Sequence, residues 1–152
     1  MNQAKQHPTA IRLTRRFRAP RRRVFDAWLD PGLAGRWLFA TATRPMAHVE
    51  IDARVGGRFR LAEQRNGAST EHFGQYVEIV PPRRLVFTLR EQRHATRVTV
   101  EINPRRRGCE LRLHHENLPP ERTQDAEARW SGMLYGLGVM LASRPGQTQD
   151  PE

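Results

Sequence analysis

The longest apolar segment of the chain lies near its C-terminus, from Ala126 to Ala142. Large apolar residues recur in it at intervals of three and four, which places them on one face of a helix: Trp130, Met133, Leu134, Leu137 and Leu141. A helix with such a face needs an apolar surface to cover it. The rest of the chain must provide that surface, and this requirement limits the folds available.

The segment before this helix alternates apolar and polar residues, which is typical of antiparallel strands with one buried face. Turns are predicted at Gly56-Gly57, Asn66-Gly67, Pro81-Pro82 and 103–108. In the strand that begins near Thr70, both faces carry apolar residues, as expected where a sheet curves over a cavity. The residues of inward parity in the other strands are Val49, Ile51, Phe59, Leu61, Leu85, Phe87, Leu89, Val98, Val100, Ile102, Cys109, Leu111 and Leu113.

The N-terminal part predicts one further strand, in which Ile11, Leu13 and Phe17 share a parity. Two short helices follow, the first ending at Asp30-Pro31-Gly32 and the second spanning 33–38. Trp28 and Trp37 are their large buried anchors. The predicted order is one strand, two short helices, six strands and a long helix, which is an α+β fold with a sheet of six to seven strands.

The chain of 152 residues is long enough for one domain with its own core, predicted here over 10–144. We expect 1–9 to be flexible and 145–152 to be a disordered tail. No run approaches the length of a membrane span, and the N-terminus lacks the apolar core of a signal peptide, so the predicted location is cytoplasmic. The single cysteine, Cys109, fits a reducing compartment.

The net charge of +10 raises the question of nucleic acid binding, because arginines cluster at 15–16, 21–23 and 105–107. Arginine replaces lysine everywhere except at Lys5, which indicates a coding bias rather than a selected patch. The clusters fall at predicted turns and at an exposed helix start, without interleaved aromatic residues. They are interpreted as solvated surface, and neither nucleic acid nor a membrane is a predicted partner.

Several stretches follow one another in a characteristic order: Ala19-Pro20, 24–28, Asp30-Pro31, Trp37, 52–59, 74–87, 111–115, and Trp130 with Leu134 and Leu137. Together they resemble the START/SRPBCC helix-grip superfamily, in its branch similar to the activator of the heat-shock protein 90 ATPase. The resemblance implies a curved antiparallel sheet wrapped round the C-terminal helix. It also implies an apolar cavity between them that holds small hydrophobic ligands.

Pattern and resemblance together predict a non-enzymatic protein that binds a small hydrophobic or aromatic molecule, lipids included, in this cavity. Trp37 and Trp130 are placed on opposite walls. His115 shares the inward parity of Leu111 and Leu113, so it is predicted to orient the ligand by a hydrogen bond. The predicted ligand-binding residues are Trp37, Phe59, Phe73, Tyr76, Phe87, His115, Trp130 and Leu134.

Two other functions stay open. The first is a cyclase-like or aromatase-like enzyme that uses His115, Tyr76 or a buried glutamate as acid or base. Against this, His115 has the alternative role of a residue hydrogen-bonded to Glu116 or Glu121. The second is a co-factor of a chaperone ATPase in a stress response, which the resemblance alone suggests. No motif for a metal, a cofactor or a catalytic nucleophile is present, so none of these is predicted. A homodimer is left open.

Three glycines, Gly132, Gly136 and Gly138, weaken the predicted C-terminal helix by about 1 kcal/mol each relative to alanine. Two interpretations remain at this point. Either the glycines let the helix backbone pack closely on the sheet, or they leave room for a ligand against bare backbone.

Overall fold

Seven strands form one antiparallel, curved sheet, and a long helix packs on its inner face. The computed structural model describes residues 9–40, 46–65, 68–91 and 94–142. The elements are β1 (Thr9–Phe17), α1 (Arg21–Leu29), α2 (Pro31–Trp37), β2 (His48–Ile51), β3 (Arg58–Arg65), β4 (Ala68–Val80), β5 (Arg84–Glu91), β6 (His94–Arg105), β7 (Gly108–Leu118) and α3 (Thr123–Ala142). The predicted α+β helix-grip fold and its element order are confirmed.

The strand order across the sheet is β1-β7-β6-β5-β4-β3-β2, so the first and last strands of the chain are neighbours. In β7, His115 lies opposite Ile11 of β1 and Val98 of β6. Alternation along β7 therefore turns Leu111, Leu113 and His115 to the inner face, where all three are buried.

The centre of the core is a cluster of aromatic rings between the sheet and the helices. The Trp28 and Trp37 rings meet edge to face at 4.7 Å between centroids, and Trp28 lies 5.9 Å from Trp130. Trp37 donates its indole N–H to the Ala27 carbonyl at 3.0 Å. Phe59 and Phe87 meet edge to face at 5.4 Å. This packing fills the space between α3 and the middle of the sheet.

Three element boundaries differ from the prediction. The helix α2 begins at Pro31 rather than at 33, because the Asp30 side chain accepts a hydrogen bond from the Gly32 N–H and caps it. The turn between β6 and β7 is only Arg106-Arg107, since Arg105 still pairs with Gly108. The helix α3 begins at Thr123, three residues before the apolar segment.

The strand β4 contains a register shift between Tyr76 and Glu78 where it pairs with β5. Before the shift, Phe73 pairs with Arg60 and Arg90 on the outer face, where it is 40% exposed. Tyr76 lies on the inner face and is buried. Phe73 and Tyr76 thus lie on opposite faces by ordinary alternation, and the bulge follows Tyr76 at a place that the sequence pattern did not locate.

The three helix glycines have different surroundings. A Cβ atom on Gly138 would lie 3.5 Å from the Phe17 ring, and one on Gly136 would lie 3.9 Å from Trp37 Cβ. A Cβ atom on Gly132 would meet nothing within 4 Å. Gly136 and Gly138 therefore face packed neighbours, which favours close packing over room for a ligand at these two positions.

Some expectations concern residues outside the described ranges. The Asn66-Gly67 turn, most of the N-terminal segment at 1–9 and the tail at 145–152 lie there. The described chain contains no helix with both the length and the apolar character that crossing a membrane requires.

Candidate ligand site at the His115 end of the sheet

A cavity of about 50 Å³ lies between the first turns of α3 and the ends of β5 and β7. Its walls combine apolar side chains with charged residues of the α3 start. The lining residues are Phe39, Leu89, His115, Leu118, Arg122, Asp125, Ala126, Arg129 and Trp130. This end of the sheet–helix interface is thus less closely filled than the aromatic cluster beside it.

A chain of hydrogen bonds crosses the floor of this cavity. Trp130 donates its indole N–H to His115 Nδ1 at 2.9 Å, so Nδ1 carries no proton. The His115 Nε2–H then donates to Thr96 Oγ1 at 2.7 Å. The Thr96 hydroxyl in turn donates to the Leu89 carbonyl at 3.2 Å. Each polar group in this series of hydrogen bonds is buried and has a partner, which fixes the imidazole in one tautomer and one orientation.

Burial lowers the pKa of His115 from 6.5 to about 4, and the positive charges of Arg129 and His114 act in the same direction. The imidazole is therefore neutral at pH 7. With both ring nitrogens already bonded, it neither accepts nor gives a proton without breaking a buried hydrogen bond. The predicted alternative partners, Glu116 and Glu121, are not the groups that bond it.

Two residues with left-handed backbone lie at this cavity. Phe39 lines it with φ at 60°, and Asn117, next to the lining residue Leu118, has φ at 68°. Phe39 is held in place by stacking on the His72 ring at 4.4 Å and by donating its N–H to Met133 Sδ at 3.0 Å. A positive φ is unfavourable for a bulky residue such as phenylalanine, and such strain concentrates at functional sites.

Of the eight predicted ligand-binding residues, the structure brings only His115 and Trp130 to the cavity. Phe73 lies on the outer face of the sheet. Trp28 packs against both Trp37 and Trp130, so these two do not face each other across an open space as predicted. The other five predicted residues belong to the packed core: Trp37, Phe59, Tyr76, Phe87 and Leu134.

Sequence reasoning missed most of the lining. Arg122, Asp125, Ala126 and Arg129 recur at helical spacing with Trp130, which is the signal that could have placed them on one face. Phe39 carried no signal, since nothing in its local sequence indicates a left-handed backbone.

The other candidate reactive groups are poorly placed for chemistry. Tyr76 packs between Phe59 and Phe87, and burial raises the pKa of its phenol well above the usual value. Burial also raises the pKa of the Cys109 thiol. In the described part of the chain, no group of three or more His, Cys, Asp or Glu side chains is arranged to hold a metal ion.

A family model described as "Activator of Hsp90 ATPase homolog 1-like protein" matches residues 18–142. The chain belongs to this family. The match confirms the helix-grip resemblance, since the matched residues run from the end of β1 to the end of α3. None of the curated proteins compared with the chain matches it significantly.

Solved structures of other proteins have the same fold as this chain. A crystal structure of a protein from Chromobacterium violaceum is 29% identical with a TM-score of 0.78, covering 86% of this chain and 96% of that one. The solution structure of an AHSA1-like protein from Aeromonas hydrophila is 21% identical with a TM-score of 0.78, covering 94% and 100%. A protein from Rhodobacter sphaeroides is 24% identical with a TM-score of 0.77, covering 90% and 94%.

Proposed function

We propose that this protein binds a small hydrophobic, predominantly aromatic ligand at the His115 end of the sheet, without converting it. The observation that carries the proposal is the cavity there, with its apolar walls and its buried hydrogen-bonded floor. A ligand site needs mostly apolar walls with a few fixed polar groups. His115 is neutral and bonded through both ring nitrogens, so it would form part of a rigid surface under the ligand, and it is not suited to moving protons.

The lining favours a ligand that carries one acidic group. Phe39, Leu89, Leu118 and Trp130 form the apolar walls. Arg122, just before α3, and Asp125 and Arg129, in its first two turns, also line the cavity and give this side a net positive charge. An aromatic or aliphatic body would contact the walls, and a carboxylate or phenolate would lie near the guanidinium groups.

The cavity must widen for any ligand of ordinary size. Its volume of about 50 Å³ accommodates a few water molecules, whereas ligand pockets usually have roughly 300 to 1,000 Å³. The far end of α3 is tied to α1, where Arg23 Nη2 donates to the Leu141 carbonyl at 3.0 Å. We therefore expect the first turns of α3 and the strained Phe39 to move apart from the sheet when the ligand enters.

A fluorescence titration tests this proposal, because Trp130 is in the cavity wall. The probes are 2-naphthoate, its neutral analogue 2-naphthalenemethanol, a medium-chain fatty acid and, as a polar reference, glucose. We expect 2-naphthoate to change tryptophan emission with a dissociation constant of tens of micromolar or below, roughly 6 kcal/mol of binding free energy. The alcohol should bind more weakly, and glucose should have no effect.

Two matched variants locate the binding. Ala126→Leu fills the cavity, whereas Ala128→Leu adds the same group to an exposed position on the same helix. We expect the first to weaken 2-naphthoate binding at least about tenfold, or 1.4 kcal/mol, and the second to leave it unchanged. If no hydrophobic probe bound at tens of micromolar, or if both variants behaved alike, the proposal would lose its support. Turnover of a bound probe that His115→Ala abolished in a folded protein would favour an enzyme instead.

Family membership favours a second candidate function, contact with a chaperone ATPase, which the family description names for its members. Purified protein added to a bacterial heat-shock protein 90 would then raise its ATP hydrolysis rate. An unchanged rate at saturating protein, with a known activator as positive control, would remove this candidate.

A further inference from the structure

A second concave surface lies at the opposite end of β7 from His115, about 20 Å away at the rise of an extended strand. It is a cleft of about 570 Å³ between the end of β1 and the β6–β7 hairpin. Its lining is dominated by arginine and comprises Arg16, Phe17, Arg18, Arg105, Arg106, Arg107 and Cys109. Two arginine clusters that are almost ninety residues apart in sequence therefore meet in one cleft, which the interpretation as scattered solvated surface did not foresee.

Backbone contacts hold the two sides of this arginine cleft together. Gly108 ends the Arg106-Arg107 turn with φ at 142°, and a Cβ atom on it would lie 2.0 Å from the Phe17 carbonyl oxygen. Only glycine allows so close an approach. The backbone of the hairpin is thereby held against the end of β1.

Glu110 organises one side of the arginine cleft. Its buried carboxylate accepts hydrogen bonds from Arg105 at 2.9 Å and from Arg112 at 3.2 Å, and Arg16 lies 3.6 Å away. One carboxylate thus serves three arginines. Within the described part of the chain, Arg18, Arg106 and Arg107 have no acidic partner, so the cleft carries a large excess of positive charge.

The third arginine cluster, 21–23, begins next to the arginine cleft. Arg21, in the first turn of α1, lies close enough to Cys109 to lower the pKa of its thiol against the larger effect of burial. Like charges gathered at this density repel one another, and a multiply charged anion would relieve that repulsion.

We propose that the arginine cleft binds a small molecule carrying an oligophosphate group. Guanidinium groups bind phosphate oxygens with two parallel hydrogen bonds, so several of them in one cleft favour a chain of phosphates over a single one. The volume of the cleft lies in the range of small-molecule sites.

The same lining argues against single-stranded nucleic acid as the occupant. Recognition of single strands relies on aromatic side chains on which bases stack, and the one aromatic residue here, Phe17, is buried. A β-hairpin can enter the major groove of DNA, so a DNA duplex is compared directly with tripolyphosphate in the experiment.

Isothermal titration of the full chain with phosphate, pyrophosphate and tripolyphosphate, in about 150 mM salt without divalent cations, tests this proposal. We expect affinity to rise with each added phosphate. The variant Arg106→Glu/Arg107→Glu should lose at least about tenfold in affinity for tripolyphosphate. The control Arg36→Glu/Arg90→Glu changes net charge equally at exposed positions away from the cleft and should stay within about threefold of the parent.

Circular dichroism on both variants first establishes that each is folded. The proposal is overturned if tripolyphosphate does not bind at millimolar concentration, or if both variants lose the same affinity and only general attraction remains. It is also overturned if a short DNA duplex binds more tightly than tripolyphosphate and depends on the same two arginines, because the site would then belong to nucleic acid.

Discussion

The middle of the sheet–helix interface and its His115 end are built from similar residues but are organised differently. In the middle, Trp28, Trp37 and Phe87 fill the space with ring contacts between 4.7 and 6.1 Å. At the His115 end, a hydrogen-bonded chain and a left-handed phenylalanine border a cavity. Both regions are buried and both lie under α3.

The comparison separates apolar residues that only fill the core from apolar residues that border a cavity. Close ring packing leaves nothing for a ligand to contact, so the middle stabilises the fold. Buried polar groups and strained backbone cost free energy, and they persist only where the surrounding structure compensates. Their concentration beside the cavity at the start of α3 is the reason for proposing the His115 end as the functional part of the interface.

The largest expected effect comes from breaking the packed part. Leu137 is fully buried on α3, so Leu137→Asp places an unpaired charge in the core and should cost more than about 4 kcal/mol, enough to unfold the protein. Val139→Asp, two residues along and 54% exposed, is the control and should change stability by about 0.5 kcal/mol or less. Circular dichroism during heating measures both. A folded Leu137→Asp protein would contradict the helix-grip arrangement.

The second prediction is a pH dependence of stability between pH 7 and 5 that comes from the His115 end. The pKa of His115 falls from 6.5 to about 4 on folding, so the unfolded chain binds a proton that the native state does not. Stability from this group is complete above pH 6.5 and is lost as pH falls towards 4, by about 3 kcal/mol at most. Urea unfolding between pH 7 and 5 measures the slope. His115→Gln should remove most of it, and an unchanged slope would refute the assignment.

The third prediction, a smaller effect on stability, concerns the hydrogen bonds that join Trp130, His115 and Thr96. Thr96→Val keeps the shape of the side chain but leaves the His115 Nε2–H without its acceptor, at a cost of about 1 to 3 kcal/mol. Thr99→Val on the same strand is the control, because Thr99 lies half-buried on the outer face and should change stability by about 0.5 kcal/mol or less. Equal unfolding free energies for the two variants would mean that the His115–Thr96 hydrogen bond contributes nothing to stability.

The smallest effect separates the stability of α3 from the cavity. A Cβ atom on Gly132 meets open space, so Gly132→Ala should raise stability by about 1 kcal/mol through helix propensity. Because residue 132 does not line the cavity, affinity for 2-naphthoate should stay the same. Thermal unfolding and the fluorescence titration report the two quantities. A lower melting temperature would show that position 132 needs glycine.

The parts of the fold with a periodic sequence pattern were predictable. Alternation along β7 placed Leu111, Leu113 and His115 inside, and intervals of three and four placed the α3 stripe on the sheet, because burial on one face imposes those periods. The boundaries that failed depend on single contacts instead. The start of α2 is set by the Asp30 cap, which the Asp-Pro-Gly sequence also allowed to be a helix stop.

The site was less predictable, for a physical reason. The pattern identified His115 and Trp130 as inward residues, but it could not tell which inward residues fill space and which line a cavity. That distinction depends on the third ring, Trp28, entering between Trp37 and Trp130. Phe73 and Tyr76 have opposite parity, so only one of them could face inward, and the pattern did not tell which. The role of Phe39 follows from a positive φ, which leaves no periodic signal.

The most direct test of the central claim follows the three tryptophan indole N–H signals by NMR during titration with 2-naphthoate. Each is assigned by a tryptophan to phenylalanine variant. If the ligand enters at the His115 end, the Trp130 signal should shift most, since its N–H is bonded to His115 in the cavity wall. The Trp28 and Trp37 signals, within the packed cluster, should move little. A dominant shift of Trp28 or Trp37, or none in Trp130 at saturation, would contradict the account.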